Sequence, residues 1–235
     1  MQAGPSIRQA FLDDEGEPFE VMIIECAHPR ASLLFGVGAG GDPERHLPLL
    51  MTLAERGCTV AAPHFERMQS LVPTVAELET RARRQQIAFN EIVRDGLPGA
   101  GLGHSIGAAM MLMLAGATAW TMPGRPARIA PEPRLQRLAL LAPAAAFFRG
   151  SRALDQVRVP IHAWVGGRDS MTPPPQAQFV KDKLAGKAEM EISVIAEAGH
   201  FSFMNVPPPH AVETLPDRDA FLQQLADEVA SFILA

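Results

Sequence analysis

The sequence predicts an α/β domain with a mostly parallel central sheet, and three observations predict it. Short strand-like runs alternate with stretches of helical periodicity, which implies parallel strands covered by helices on both faces. Ser32-Leu33-Leu34-Phe35 is continuously apolar, as a central strand buried on two faces is. The chain has 235 residues, 47% hydrophobic and 20% charged. That length and composition suit a single domain over residues 1–235 with a sizeable core.

The elements follow in order. Ser6 to Asp13 and Phe19 to Ala27 read as strands separated by the turn cluster Asp14-Glu15-Gly16-Glu17-Pro18, so the sheet should start antiparallel. Ala31 to Phe35 is the third strand. Gly36-Val37-Gly38-Ala39-Gly40-Gly41 after it is too rich in glycine for a strand or helix interior and suits a loop whose N–H groups approach a ligand. A flexible turn and a phosphate-binding loop are the alternatives. No Gly-Lys-Ser/Thr follows, and the spacing is not that of a dinucleotide fingerprint. Asp42-Pro43 opens a helix to about Gly57, with Asp42 as N-cap. Cys58 to Ala62 is the next strand, ending at Pro63-His64-Phe65.

Thr74 to Arg94 is an amphipathic helix with Val75, Leu78, Ala82, Ile87, Ile92 and Val93 on its apolar stripe, stopped by Asp95-Gly96-Leu97-Pro98-Gly99. Ala100-Gly101-Leu102 leads into Gly103-His104-Ser105-Ile106-Gly107, and Ala108 to Leu114 is strongly helix-forming. Trp120 to Arg134, rich in Pro, Gly and Arg, reads as an excursion from the core. Leu135 to Ala142 is a strand, Ala144 to Val157 a linker with room for a short helix, and Pro160 to Gly166 a strand. Gln176 to Leu184 is a helix, Glu189 to Ala196 a strand, and Ala198-Gly199-His200-Phe201 a tight loop. A proline-rich loop, Asn205 to Pro216, leads to a last helix from Asp217 to Ile233.

Composition narrows the function classes. The net charge is −5, and the one basic cluster, Arg81-Ala82-Arg83-Arg84, reads as a solvated helix face, so no nucleic-acid partner is expected. The run Ile106 to Ala119 is too short to span a bilayer, and the start, Met1 to Ser6, lacks a charged segment followed by an apolar one, so no membrane insertion and no signal peptide are expected. Cys26 and Cys58 lie in apolar, strand-like surroundings and read as buried reduced thiols, consistent with a cytoplasmic location. No His/Cys/Asp spacing suggests a metal site.

A serine flanked by glycines, between a strand and a helix, is the pattern of a nucleophile elbow. In a parallel sheet, ligands bind beyond the carboxyl ends of the strands, so partners of Ser105 belong in loops directly after strands. Asp169 and His200 both sit there, in the chain order Ser, Asp, His. Asp155 precedes a strand and Glu197 lies too close to His200, so Asp169 is preferred as the acid. A serine hydroxyl needs a base to become a nucleophile, an imidazole titrates near neutrality, and a carboxylate fixes the imidazole tautomer.

With these residues in place, nearly the whole chain resembles the α/β-hydrolase superfamily. The matching motifs are Gly103-His104-Ser105-Ile106-Gly107, Val165-Gly166-Gly167-Arg168-Asp169 with prolines after it, and Ala198-Gly199-His200-Phe201. Gly199-His200-Phe201-Ser202-Phe203 is most similar to dienelactone-hydrolase-type esterases, although a serine stands where the best-known members carry a cysteine nucleophile. The resemblance implies an α/β-hydrolase fold, and the shortness of the stretches between Ala119 and Arg134 and between Ala144 and Val157 implies a small or absent cap. The resemblance also implies an oxyanion hole from the backbone N–H groups of Ala39 and Ile106, in a loop where Val37 replaces the family's usual histidine.

The expected function is therefore a cofactor-free serine hydrolase acting on a small or medium carboxylic ester through an acyl-enzyme. A thioesterase or acyltransferase with the same three residues is the second reading, and a non-catalytic binding protein on the same scaffold the third. His64 at a strand end, Phe147 and Phe148 after a strand, and Phe201 beside His200 are candidate pocket residues. His104 at the elbow's variable position suggests shaping rather than proton transfer. His162 should be a satisfied core group, and His28, His46 and His210 should face solvent. Acyl length, alcohol group and oligomeric state are not encoded in these patterns.

Overall fold

The computed structural model describes residues 4–70, 72–122 and 125–235. The first strands are β1 (Ser6–Asp14) and β2 (Glu17–Glu25), joined through Glu15 and Gly16, both at positive φ. They are followed by β3 (Ala31–Gly36), α1 (Leu47–Glu55), β4 (Cys58–Pro63), α2 (Val75–Asn90), β5 (Gly99–His104) and α3 (Ile106–Leu114). The second half holds β6 (Ala119–Met122), β7 (Arg125–Ala127), β8 (Leu135–Leu141), β9 (Ile161–Gly166), α4 (Pro174–Leu184), β10 (Met190–Ile195) and α5 (Arg218–Leu234). Eight strands form one sheet in the order β1-β2-β4-β3-β5-β8-β9-β10. Pairing is antiparallel for β1 with β2 and β2 with β4, and parallel from β4 through to β10. The antiparallel start and the mostly parallel sheet agree with the sequence pattern.

Each central strand feeds two cores because successive side chains point to opposite faces. Val21, Ile23 and Leu34 pack with α2, α3 and α4 on one face, while Met22, Ile24, Leu33 and Phe35 pack with α1 and α5 on the other. All nine residues of α3 are buried, so this helix is apolar all round. Truncating one of its large side chains, such as Leu112, to alanine would cost about 2–5 kcal/mol.

Helix ends show how local chemistry sets boundaries. Thr74 and Glu77 form a reciprocal capping box at the start of α2. The helix ends at Asn90, four residues before the expected Arg94, because the chain tightens into i+3 bonds from Glu91 and Ile92. The Ile92 carbonyl instead accepts the Ser32 hydroxyl at 2.8 Å. The helix expected from Asp42 is split into a 3-10 turn over Pro43–His46 and α1, since Pro48 offers no N–H to carry one ladder through. Asp42 does cap the turn, accepting from the Glu44 N–H at 2.9 Å.

Several expectations are corrected. The stretch from Trp120 to Arg134 is no simple excursion: β6 and β7 form an antiparallel ribbon whose Ala119 and Ala127 are fully buried. Pro123 and Gly124 of that stretch, like Met1 to Ala3 of the start, lie outside the described residues. The Arg81–Arg84 group is no solvated face. Arg81 is buried, donates to the Glu66 carbonyl at 2.6 Å and lies over the Phe65 ring, while Arg83 and Arg84 grip the buried Asp14 carboxylate. Cys58 is buried, Cys26 is only half-buried, and both are free thiols. His28 and His210 are exposed, but His46 has no exposed surface and its ring lies 5.0 Å from that of Phe35. His162 bonds Ser193 Oγ at 2.9 Å and stacks on Trp164. Among the described residues, no helix is long and apolar enough to cross a membrane.

Candidate active site

Strand β5 delivers Ser105 to the carboxyl edge of the sheet. The serine takes φ 57° and ψ −120°, a region that L residues rarely adopt and that persists only where the surroundings impose it. Its N–H donates to the Leu141 carbonyl at 2.9 Å and its carbonyl accepts from Ala108, Ala109 and Ala144, which anchors the turn on three sides. Both flanking glycines are required by packing. A Cβ at Gly103 would come within 2.5 Å of the Ala108 nitrogen, and one at Gly107 would collide with the Gly36 carbonyl. Together they let α3 fold back over β5 and against the end of β3.

The loops after β9 and β10 bring in Asp169 and His200. The Arg168 N–H donates to the Ala198 carbonyl at 3.0 Å and the Gly167 N–H to the Ile195 carbonyl at 2.9 Å, so the two loops are tied to each other. His200 Nε2 lies 3.0 Å from Ser105 Oγ, and His200 Nδ1 lies 2.8 Å from Asp169 Oδ2. Ser105, His200 and Asp169 thus form one hydrogen-bonded chain. His200 and Asp169 are both buried, and Ser105 is partly exposed. Because a carboxylate only accepts, Nδ1 carries the proton and Nε2 turns its lone pair to the serine hydroxyl.

Asp169 is fully engaged. Its Oδ1 accepts the N–H groups of Met171 and Thr172, both at 2.8 Å, and its Oδ2 accepts from His200 and from the Thr172 hydroxyl at 2.7 Å. Burial alone would raise the Asp169 carboxyl, but the His200 hydrogen bond and charge, with the Thr172 bonds, hold it down at about 2. The other two candidate acids are occupied elsewhere: Asp155 pairs with Arg152 and Lys187, and Glu197 pairs with Arg168.

The glycine loop after β3 lies against the elbow. A Cβ at Gly38 would sit 3.3 Å from His104 Nδ1 and 3.5 Å from Ser105 Cβ. The Gly41 N–H closes a turn onto the Gly38 carbonyl, and the Ala39 carbonyl accepts the Met68 N–H. The Ala39 N–H takes part in neither bond. Ile106 opens α3, so its N–H is among those a helix leaves unused. Phe65 N–H donates to the Gly41 carbonyl, so the segment braced by Arg81 also braces this loop.

Of the candidate pocket residues, Phe201 packs edge-on against the His200 ring at 5.2 Å. His64 continues the β4–β2 ladder through its N–H to the Glu20 carbonyl and makes no hydrogen bond with the Ser105 group. Phe147 is half-buried against the core, whereas Phe148 is 1% exposed and belongs to the core itself. Apolar character after a strand does not separate pocket from core, which is why the sequence grouped the two.

One residue of the site had escaped sequence reasoning, and one contact of another. The residue is Thr172, although an Asp followed three residues later by Thr is a turn pattern in which the carboxylate caps N–H groups ahead of it. His104 is buried, as a shaping residue would be, but its contact was not foreseeable: Nε2 lies 3.0 Å from the His200 carbonyl. The rings of His46, His104 and His200 follow one another at 5.2 and 5.1 Å. Burial, then the neighbouring His200 and His46, push His104 well below the ordinary histidine range. Burial takes His46 down to about 3. Both rings are therefore neutral at pH 7, and His104 donates through Nε2–H to the carbonyl. Among the described residues, no group of three or more His, Cys, Asp or Glu is arranged to hold a metal ion.

No protein-family model matches the sequence, and no curated protein sequence matches it. Solved structures do match. A predicted CIB-like hydrolase from Thermoplasma acidophilum aligns with TM-score 0.65 at 14% identity, covering 97% of this chain and 100% of its own. Esterase 2 from the planctomycete Thermogutta terrifontis aligns with TM-score 0.64 at 16% identity, covering 96% and 91%. Dienelactone hydrolase from Anabaena variabilis aligns with TM-score 0.64 at 15% identity, covering 98% and 97%. The matches cover nearly all of this chain, and the chain has the α/β-hydrolase fold.

Proposed function

We propose that the chain is a serine hydrolase that cleaves a small or medium carboxylic ester through an acyl-enzyme, as a single domain and without a cofactor. The observation that carries this reading is the hydrogen-bonded chain Ser105 Oγ–His200 Nε2 and His200 Nδ1–Asp169 Oδ2 at an elbow whose serine is held at positive φ. In it, Ser105 Oγ attacks the ester carbonyl while His200 Nε2 takes the hydroxyl proton. The tetrahedral oxyanion faces the Ala39 and Ile106 N–H groups. His200 then protonates the departing alcohol, and Asp169 stabilises the imidazolium throughout. A water activated by His200 releases the acid and restores Ser105.

The structural relatives add support of a general kind, since two are named as an esterase and a dienelactone hydrolase. The Thermogutta esterase has also been captured phosphoramylated by tabun, which suggests the probe. A fluorophosphonate should label the folded protein and leave Ser105→Ala unlabelled. Equal labelling of that variant, or none of the wild type, overturns the reading. A panel of p-nitrophenyl esters from acetate to decanoate then measures acyl preference, and partition to an added alcohol or thiol separates hydrolysis from acyl transfer.

A further inference from the structure

We propose that Thr172 is a positioning residue of this hydrolase: its side-chain hydroxyl holds the Asp169 carboxylate and the His200 ring in one register. The proposal rests on the reading of Ser105, His200 and Asp169 as the catalytic group. Thr172 opens the chain's approach to α4, and it is 6% exposed. Its Oγ1 lies 2.7 Å from Asp169 Oδ2, 3.0 Å from the Ala142 carbonyl oxygen and 3.1 Å from His200 Nδ1. One hydroxyl therefore meets both members of the acid–base pair and the end of β8.

The proton inventory decides what it can do. The carboxylate and the carbonyl only accept, so the single Thr172 proton goes to one of them, and the carboxylate is the nearer. Its oxygen lone pairs remain for the Nδ1–H of His200, which Asp169 Oδ2 receives at 2.8 Å and Thr172 Oγ1 at 3.1 Å. The hydroxyl thus donates to the acid and accepts from the base. When His200 takes up the Ser105 proton, its Nδ1–H faces two oxygen acceptors rather than one. The Ala142 carbonyl, 3.0 Å away, is the hydroxyl's alternative acceptor. Ala142 has φ 44°, its N–H is bound to the Trp164 carbonyl at 2.8 Å, and its carbonyl is thereby part of the β8–β9 framework. Thr172 touches no reacting atom and acts through Asp169 and His200.

Shape and polarity are separable at this position. Valine keeps the volume of threonine and removes the hydroxyl, whereas serine keeps the hydroxyl and removes a methyl. A packing role ranks valine above serine, and the positioning role ranks serine above valine. With the best p-nitrophenyl ester of the panel, T172V should lower kcat by about 10–100-fold, the scale of losing a hydrogen bond to a charged group. KM should stay within about twofold, because substrate binding does not use the hydroxyl. T172S should retain kcat within about threefold. Should T172V fail to fold, T172A replaces it, since Ala and Ser differ there only by the hydroxyl oxygen. T172V (or T172A) matching T172S in kcat, or acting through KM alone, overturns the proposal. Failure of the underlying reading looks different: wild type itself would then escape the fluorophosphonate.

Discussion

On one side of Ser105, Asp169 has all its acceptor positions met, by two backbone N–H groups, the Thr172 hydroxyl and His200. On the other, around the glycine loop, several buried side-chain polar atoms lack partners among the described residues. His46 makes no well-formed hydrogen bond at either ring nitrogen, His104 leaves Nδ1 unpaired, and neither end of the Gln85 amide is bonded. The acid side is built by directional bonds and the glycine side by close contact of backbone with backbone. The first should tolerate a change of size and punish a change of polarity; the second should do the reverse.

The comparison can be broken most sharply at Gly107, where a Cβ meets the Gly36 and Val37 carbonyls, backbone that cannot turn aside. Gly107→Ala should abolish labelling and soluble yield together, read by fluorophosphonate gel and circular dichroism. Next in size is polarity on the acid side. Asp169→Asn keeps volume but disturbs the His200 tautomer, and kcat should fall by about 10³–10⁴-fold with the fold retained. A milder volume test is Gly38→Ala, whose Cβ would sit 3.3 Å from His104 Nδ1, so that the ring must give by a few tenths of an ångström. A kcat loss of about tenfold with an unchanged fold is expected, against about 10²–10³-fold for removing an oxyanion donor outright.

The smallest effect is visible on acidification, and its sign follows from the protonation states. His46 is held down at about 3 against an ordinary 6.5, so its neutral burial contributes stability fully above pH 6.5 that drains away as pH falls towards 3. Asp169, held at about 2 against 3.8, keeps its contribution down to pH 3.8 and loses it only as pH falls through about 2. The glycine side should therefore loosen first. His46→Phe, which removes polarity where contact governs, should leave activity at pH 7 close to wild type and flatten the decline of Tm between pH 6.5 and 4. An unchanged decline would assign the acid sensitivity elsewhere.

The parts legible in the sequence were those with a local signature. Gly103, Ser105 and Gly107 announce the elbow because the pattern falls within five consecutive residues, although the clash avoided at Gly107 is with the distant Gly36 carbonyl. Asp169 and His200 were found because a parallel sheet collects strand-end loops at one edge. What escaped depends on which distant groups arrive alongside. Arg81 looked like a surface charge because the Glu66 carbonyl and Phe65 ring that receive it lie outside its helix. His46 looked solvent-facing because its place next to Phe35 and His104 arises from the packing of α1's approach against β3 and the elbow. Residues 119–134 hid a ribbon because three- and four-residue strands are too short to show a period.

The φ of 57° at Ser105 has a consequence for how this chain responds to selection. A non-glycine residue in such a conformation costs on the order of 1–3 kcal/mol, and glycine would relieve most of it. A library sorted for heat resistance alone should therefore enrich Ser105→Gly, a more durable protein with no nucleophile. The position where the proposed chemistry happens is one where folding, left to itself, would choose a different letter.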